Sequence, residues 1–235
     1  MPLQGALLIA IIPRAMPWAM VCWAFSPFQP YSSTSFYKYC FGQAHINQHR
    51  SSHKHATMNY KETVEYLFNS TPVFEHVGAT AYKDGLDNSH ALDAHFGHPH
   101  TRYQTIHVAG TNGKGSTCAM LASVLRAAGY KTGLYTSPYI FRFNERMQIN
   151  GAPIPDDTLC ALVEELRPLA DRMADPPTEF ELVTAIGLTW FAREMCDIVV
   201  CEVGMGGEFD ATNVIPAPEV AVLTNIGLDH TKVLG

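Results

Sequence analysis

A glycine-rich turn between an apolar strand and a helix constrains the fold of this chain more than any other feature of its sequence. Gln104–Ala109 (QTIHVA) has the pattern of a compact strand, residues 110–116 (GTNGKGS) form the turn, and residues 116–128 repeat apolar side chains at helical spacing before Gly129. Such a turn can direct successive backbone N–H groups at an anion, and the N-terminus of the following helix adds partial positive charge. The pattern predicts a phosphate-binding unit of an α/β protein.

Two side chains of this turn carry the chemistry of phosphate binding. Lys114 would neutralise charge on β- and γ-phosphates, and the hydroxyl of Ser116 would serve phosphate or Mg²⁺. The spacing differs from the usual G-x-x-x-x-G-K-[ST] motif, because Gly115 stands between the lysine and the hydroxyl residue. The alternative is a glycine-rich turn without a ligand, and the strand-turn-helix context favours phosphate binding over it.

Helices and strands alternate from residue 58 onward. Helices are predicted over residues 59–69, 89–96, 116–128, 156–173 (capped by Asp156 and Asp157) and 179–195, and strands over residues 104–109, 131–135, 197–203 and 219–226. Asn150-Gly151 predicts a hairpin within residues 147–154, and the last two strands are predicted to be buried because they are continuous apolar runs. The alternation predicts a mostly parallel sheet with helices on both faces, whose ligands bind beyond the carboxyl ends of the strands.

The first 57 residues differ from the rest in charge. All 22 acidic residues of the chain follow residue 57, whereas four of its 16 basic residues precede it. Two apolar runs in this segment, at residues 6–12 and 18–25, are too short to span a membrane. The segment is expected to lie outside the fold, either as an organelle transit peptide or as an upstream region translated ahead of a natural start at Met58. The segment also contains four histidines whose spacing on a helix could present them to a metal: His45, His49, His53 and His55. The flanking residues are polar and have no periodic apolar face, which argues against a metal site.

The composition of the chain limits which binding partners and which cellular compartment are expected. A formal net charge of -6 argues against an electrostatic grip on nucleic acid or on an anionic membrane. The six cysteines are scattered without a C-x-x-C pair, which is typical of reduced core residues in a cytosolic protein. The expected ligands are therefore small molecules.

Three further strand ends carry polar side chains that would meet the turn. Glu202 ends an apolar strand, where a carboxylate is costly unless it is paired or bound to a cation, so it is either a Mg²⁺ ligand or a salt-bridged structural residue. Ser137, followed by Pro138, is either a turn former or a hydroxyl directed at a metal. His230 follows the last strand and is either a structural residue or a ligand of metal or phosphate.

Taken together, these motifs resemble one family. HVAGTNGKGS, LYTSP followed by RFNERMQINGAPI, and CEVGMGG-x-x-DATNVI followed by TNIGLDHT are similar to the folylpolyglutamate synthase / dihydrofolate synthase family, a branch of the Mur-ligase-like ATP-dependent amide ligases. The likeness runs collinearly from Met58 to Gly235.

The resemblance implies an enzyme that joins an acid to an amino acid. ATP would phosphorylate the carboxylate of a folate or dihydropteroate, and the amino group of L-glutamate would attack the acyl phosphate. The implied nucleotide-binding residues are Gly110, Thr111, Asn112, Gly113, Lys114, Gly115 and Ser116, and the implied Mg²⁺ ligands are Ser137, Glu202 and His230. The implied pteroate-binding residues are Thr178, Glu179, Phe180, Glu181, Phe209, Asp210 and Ala211, with weaker support for Asp84, Gly85 and Leu86. A cytoplasmic monomer is expected from the same likeness.

Two departures from the family pattern bear on activity. Glu208 stands where many relatives have Arg in G-G-R-x-D, which reverses a charge beside the pteroate-binding stretch. The chain ends at Gly235, before the lysine and the glutamate-binding domain that the family carries further on, so residues 58–235 are expected to form an incomplete ATP-binding domain that is inactive alone. The alternatives are a Mur ligase of peptidoglycan precursor synthesis, which Gly115 and the RFNER segment disfavour, and a module that binds nucleotide without catalysis.

Overall fold

The computed structural model describes residues 58–69, 83, 85–229 and 231. The predictions for residues 1–57, for Asp84 and for His230 lie outside these described residues.

Six strands form one mixed sheet with helices on both of its faces. The helices are α1 (Tyr60–Asn69), α2 (Asp87–His95), α3 (Lys114–Ala127), α4 (Asp156–Ala170) and α5 (Glu179–Arg193), and the strands are β1 (Gln104–Ala109), β2 (Thr132–Tyr135), β3 (Met147–Ile149), β4 (Ala152–Pro153), β5 (Ile198–Glu202) and β6 (Val220–Leu223). The strand order is β4-β3-β2-β5-β1-β6, in which β2, β5, β1 and β6 are parallel and β3 and β4 add an antiparallel hairpin at one edge. The predicted α/β class and mostly parallel sheet are confirmed.

The hairpin turn has the backbone conformation that its sequence predicts. Asn150 and Gly151 adopt φ values of 52° and 84°, the positive values that a two-residue turn between antiparallel strands requires. The Asn150 carboxamide oxygen also accepts a hydrogen bond from the N–H of Thr132 at 2.9 Å, which ties the turn to the start of β2. This hairpin protects one edge of the parallel sheet from solvent.

Each of the five described helices differs from its predicted range by one to three residues at one end or at both. Helix α3 begins at Lys114 rather than at residue 116, because Gly113 takes the N-cap position with a φ of 80° and the lysine already lies in the first turn. Helix α4 begins at Asp156 as predicted but ends at Ala170 rather than near residue 173. Its N-cap is Pro155, so the predicted caps Asp156 and Asp157 lie in the first turn, where their negative charges interact favourably with the positive end of the helix dipole. In both helices the apolar pattern predicted the body correctly, and only the ends differ.

The core has two layers of unequal size. The larger layer packs α1, α2, α4 and α5 against one sheet face, and α5 is buried along nearly its whole length because it is apolar on all sides. The smaller layer lies on the other face, where Cys118 and Leu125 of α3 pack on Val108 and Val200. The four described cysteines, Cys118, Cys160, Cys196 and Cys201, are buried and carry free thiols. None of the helices that the structure describes is long and apolar enough to cross a membrane.

Strand β6 is shorter and more exposed than its sequence predicts. It ends at Leu223 instead of residue 226, and Val222 is its one buried residue. Leu223, Ile226 and Leu228 are 44%, 83% and 95% exposed. The prediction of a buried strand over residues 219–226 is therefore wrong: β6 pairs with β1 on one side and forms an edge of the sheet as described.

Candidate functional site

The carboxyl ends of the four parallel strands meet at one edge of the sheet. The backbone N–H of Ser137, after β2, donates to Oε2 of Glu202, at the end of β5, at 3.1 Å. The N–H of Asn112, after β1, donates to Oδ1 of Asn225, after β6, at 2.8 Å. The structure therefore brings together the strand ends at which the sequence predicts ligand chemistry.

The glycine-rich turn, residues 110–113, is folded around the ammonium group of the lysine that follows it. Lys114 Nζ donates to the carbonyl oxygens of Gly110 at 2.9 Å and of Thr111 at 3.4 Å. Gly110 has a φ of 135°, and a Cβ at this position would lie 2.1 Å from Oγ1 of Thr224, so no larger residue fits. We call residues 110–113 the phosphate loop, because its curvature and the positive charge at its centre suit an anion.

Glu202 lies beside this loop with its carboxylate buried. Its Oε2 atom would be 3.4 Å from a Cβ on Gly115, so the residue inserted into the usual motif lies directly against the carboxylate. Burial raises the pKa of Glu202, while the N–H of Ser137, the charge of Lys114 and the N–H of Gly115 act in the opposite direction. Among the described residues no basic side chain lies within 4.0 Å of this carboxylate, so the salt-bridge alternative for Glu202 finds no partner here.

The donors at this edge suit a hard cation. Glu202 offers carboxylate oxygens. Ser137, whose backbone N–H contacts that carboxylate, and Ser116, which follows Gly115, carry hydroxyl groups, and both oxygen types are ligands that Mg²⁺ accepts. The part of the chain that the structure describes contains no group of three or more His, Cys, Asp or Glu side chains that could hold a metal by itself. A cation here would therefore take oxygens from water and from a bound phosphate, as Mg²⁺ usually does.

The two stretches expected to bind a pteroate meet at a single point beyond β5. A Cβ on Gly204 would lie 2.5 Å from Cζ of Phe180 and 2.9 Å from Oδ2 of Asp210. Phe209 is exposed, and Phe180 is partly buried. The stretches at residues 178–181 and 209–211 are thus neighbours, and their accessible side chains are aromatic.

The polar side chains of these stretches are turned into the protein. Thr178 and Glu181 cap α5 reciprocally: the Thr178 hydroxyl accepts from the Glu181 N–H at 3.2 Å, and the Glu181 carboxylate accepts from the Thr178 N–H at 2.7 Å. Glu179 forms a buried ion pair with Arg146. Asp210 accepts hydrogen bonds from the N–H groups of Met205 and Thr212, and Ala211 is buried. These side chains stabilise the local backbone conformation, a structural role that the sequence alone did not indicate.

A buried polar relay that sequence reasoning missed connects β1 to Asp210. His107 on β1 contacts Thr212 Oγ1 through Nε2 at 2.8 Å, and the Thr212 hydroxyl donates to Asp210 Oδ1 at 2.5 Å. Since Thr212 uses its proton toward Asp210, the imidazole must be the donor of the first bond. Burial lowers the pKa of His107 to about 4 and raises the pKa of Asp210, although the hydroxyl and N–H donors around Asp210 act in the opposite direction.

Acid should destabilise the fold through His107. Its pKa is about 4 when folded against 6.5 ordinarily, so the unfolded chain binds one proton more between these pH values, and stability is lost as pH falls from 6.5 to 4. The expected slope is about 1.4 kcal/mol per pH unit from this group. Urea unfolding across this range measures it. His107→Gln should flatten the profile by that amount, and His90→Gln, at an exposed position on α2, should not; equal slopes in all three proteins would contradict the assignment.

The remaining predicted positions are placed as follows. Gly85 and Leu86 precede α2 and are partly buried. Glu208 is exposed, and its carbonyl oxygen accepts from the Asn213 side chain at 3.0 Å. Thr224 and Asn225, which contact the phosphate loop, were not among the predicted site residues; the signal that could have indicated them is their place directly after a strand of the parallel sheet.

A curved, glycine-rich loop at the carboxyl edge of a mostly parallel sheet is typical of α/β nucleotide-binding domains. The chain belongs to the Mur ligase family, because the family profile of the Mur ligase middle domain matches residues 108–235.

Within that family, the relatives confirm the resemblance drawn from the motifs. The chain is 46% identical over 158 residues to the dihydrofolate synthase/folylpolyglutamate synthase of Bacillus subtilis, covering 65% of this chain and 36% of that protein. It is 45% identical over 183 residues to the folylpolyglutamate synthase of Lacticaseibacillus casei, covering 76% and 41%. The chain thus spans about two fifths of the length of these relatives.

Solved structures give the same fold. A folylpolyglutamate synthase complex with AMPPCP and folate superimposes with a TM-score of 0.67 at 45% identity, covering 76% of this chain and 43% of that one. Escherichia coli FolC in complex with DHPP and ADP superimposes with a TM-score of 0.68 at 36% identity, covering 77% and 42%.

Proposed function

We propose that residues 58–235 form the nucleotide-binding unit of an ATP-dependent ligase that joins L-glutamate to the carboxylate of a folate or dihydropteroate. The observation that carries the proposal is the placement of the phosphate loop, Lys114 and the Glu202 carboxylate at one sheet edge, next to Phe180 and Phe209. Relatives of the same fold are described with an ATP analogue and folate, and with ADP and DHPP, which supports this pairing of ligands.

The chain's own residues would bind and orient the reactants. Lys114 and the N–H groups of residues 113, 114 and 116 would hold the triphosphate with its γ-phosphate toward Glu202. Glu202 and Ser137 would hold Mg²⁺, which when bound supplies positive charge to the transferring phosphoryl group. Phe180 and Phe209 would exclude water and hold the aromatic part of the second substrate.

The proposed reaction has two displacement steps. An oxygen of the substrate carboxylate attacks the γ-phosphorus, the bond to the β-phosphate oxygen breaks, and ADP leaves. The amino nitrogen of glutamate then attacks the acyl carbon, inorganic phosphate leaves, and the amino group gives up a proton to form the amide. The site would bind the reactants of the first step through the phosphate loop and the aromatic pair. The four buried free thiols of the described residues support action in a reducing compartment, the cytoplasm.

Ligand binding tests the proposal directly. Calorimetric titration of the chain should show ATP binding that requires Mg²⁺, and binding of folate or dihydropteroate that ATP strengthens. A UDP-linked peptidoglycan precursor serves as the matched ligand of the other Mur ligase class and is expected not to bind. Binding of that precursor instead of the pteroate compounds would contradict the proposed substrate, and absence of ATP binding would contradict the proposed function as a whole.

A further inference from the structure

The residues that follow β6 hold the phosphate loop with their side chains. The hydroxyl of Thr224 donates to the carbonyl oxygen of Asn112 at 2.7 Å and lies 3.3 Å from that of Ala109. Asn225 accepts twice: its backbone oxygen from the N–H of Thr111 at 3.0 Å, and its side-chain oxygen from the N–H of Asn112 at 2.8 Å. The loop therefore does not depend on its glycines alone for its shape.

These contacts fix the directions of three successive peptide groups. In a trans peptide the C=O and the following N–H point in opposite directions. The two peptides that join Gly110, Thr111 and Asn112 point their C=O groups at Lys114 Nζ and their N–H groups at Asn225. Lys114 and Asn225 thus hold the first half of the loop from opposite sides.

The next peptide is reversed, and Thr224 holds the reversal. The C=O of Asn112 points at the Thr224 hydroxyl, on the β6 side of the loop. The N–H of Gly113 in the same peptide must then point away from β6, the direction in which the preceding carbonyls face Lys114. A donor directed to the same side as the partly buried ammonium group of Lys114 is placed to share its anion.

A second contact joins the residues that follow β6 to the phosphate loop. The Thr111 hydroxyl accepts from the N–H of Gly227 at 2.9 Å and donates to the Gly227 carbonyl oxygen at 3.2 Å. Thr224 is partly exposed, and Asn225 and Gly227 are exposed, so these bonds contribute little to the core. Their consequence is local: they set the shape of the loop.

We infer that Thr224 and Asn225 are positioning residues of the nucleotide site, which turn the N–H of Gly113 toward a bound triphosphate. The inference rests on the proposed function, since it assumes that the loop binds ATP. Thr224 acts through the peptide of Asn112 and touches no reacting atom, and Asn225 acts by holding the two preceding N–H groups.

The hydroxyl of Thr224 can be tested by itself. Thr224→Val keeps the shape of the side chain and removes the donor, whereas Thr224→Ser keeps the donor. Displacement of a fluorescent ATP analogue by ATP and by AMP should show an affinity for ATP about ten-fold lower in Thr224→Val, the loss expected for one directed hydrogen bond. Affinity for AMP and the urea midpoint should be unchanged, and Thr224→Ser should bind ATP like the wild type.

The possible outcomes distinguish failure of this inference from failure of the proposed function. If the wild type does not bind ATP, the proposed function fails. If the wild type binds and Thr224→Val binds equally well, or loses ATP and AMP in the same proportion, the inference is overturned. If Thr224→Val is too unstable to assay, Asn225→Ala serves in its place, because its exposed side chain can be removed without disturbing the core; unchanged ATP affinity in that variant overturns the inference as well.

Discussion

Replacing Lys114 with alanine is expected to lower the affinity for ATP about 100-fold, because the ammonium group is the positive charge at the centre of the phosphate loop. The folded chain should tolerate the change, since alanine is the best helix former and the residue lies in the first turn of α3. Calorimetric titration with ATP in the presence of Mg²⁺ measures the affinity, and urea unfolding measures the stability.

The matched control is a lysine whose contacts lie elsewhere. Lys131 donates to the carbonyl oxygen of Glu194 and lies beside that residue's carboxylate at 3.4 Å, at the opposite end of β2 from Ser137. Lys131→Ala should leave ATP binding unchanged. Equal ATP affinity in Lys114→Ala and the wild type would contradict the assignment of the phosphate loop.

The fold was predictable wherever one local pattern decided the outcome. Strand β1 has the bounds that its apolar run predicts, and Asn150 and Gly151 make the turn that their conformational preferences favour. Strand β6 was mispredicted because an apolar run reports a preference for burial, whereas burial itself depends on the elements that cover the strand. Among the described elements, β1 is the one that β6 contacts extensively, so the face of β6 that carries Leu223 is left uncovered.

The residues of the candidate site were predictable where the type of residue by itself indicates the chemistry. A carboxylate at the end of an apolar strand indicated Glu202, and the glycine-rich turn indicated Lys114. The place of Thr224 after a strand could have indicated its edge of the sheet, but the particular partners of Thr224 and His107 could not be predicted. Each partner lies far along the chain: Thr224 and Asn112 are 112 positions apart, and His107 and Thr212 are 105 apart. Only the register of β6 on β1 and the turn after β5 bring these pairs together.

The same limit explains why the stretch at residues 178–181 was assigned to a substrate by resemblance alone. A family motif shows that a residue type recurs beside a ligand but not which way each side chain points. Glu179 points at Arg146, whose guanidinium group also lies over the rings of Phe143 and Phe180 at 5.4 and 5.6 Å. Arg146 thus packs against Phe180, the aromatic residue proposed to hold a substrate.

Breaking this buried ion pair is expected to be strongly destabilising. Arg146 and Glu179 are 6% and 7% exposed, so Glu179→Ala leaves a buried charge without this partner and should cost about 3–5 kcal/mol of unfolding free energy in urea denaturation. The matched control is the exposed pair of Arg193 and Glu165, 46% and 44% exposed, where Glu165→Ala should cost under about 1 kcal/mol. Replacing both members of the buried pair, as Arg146→Met with Glu179→Leu, should recover much of the loss, because no unpaired charge remains buried. Equal costs for Glu179→Ala and Glu165→Ala would show that burial does not set the energetics of this pair.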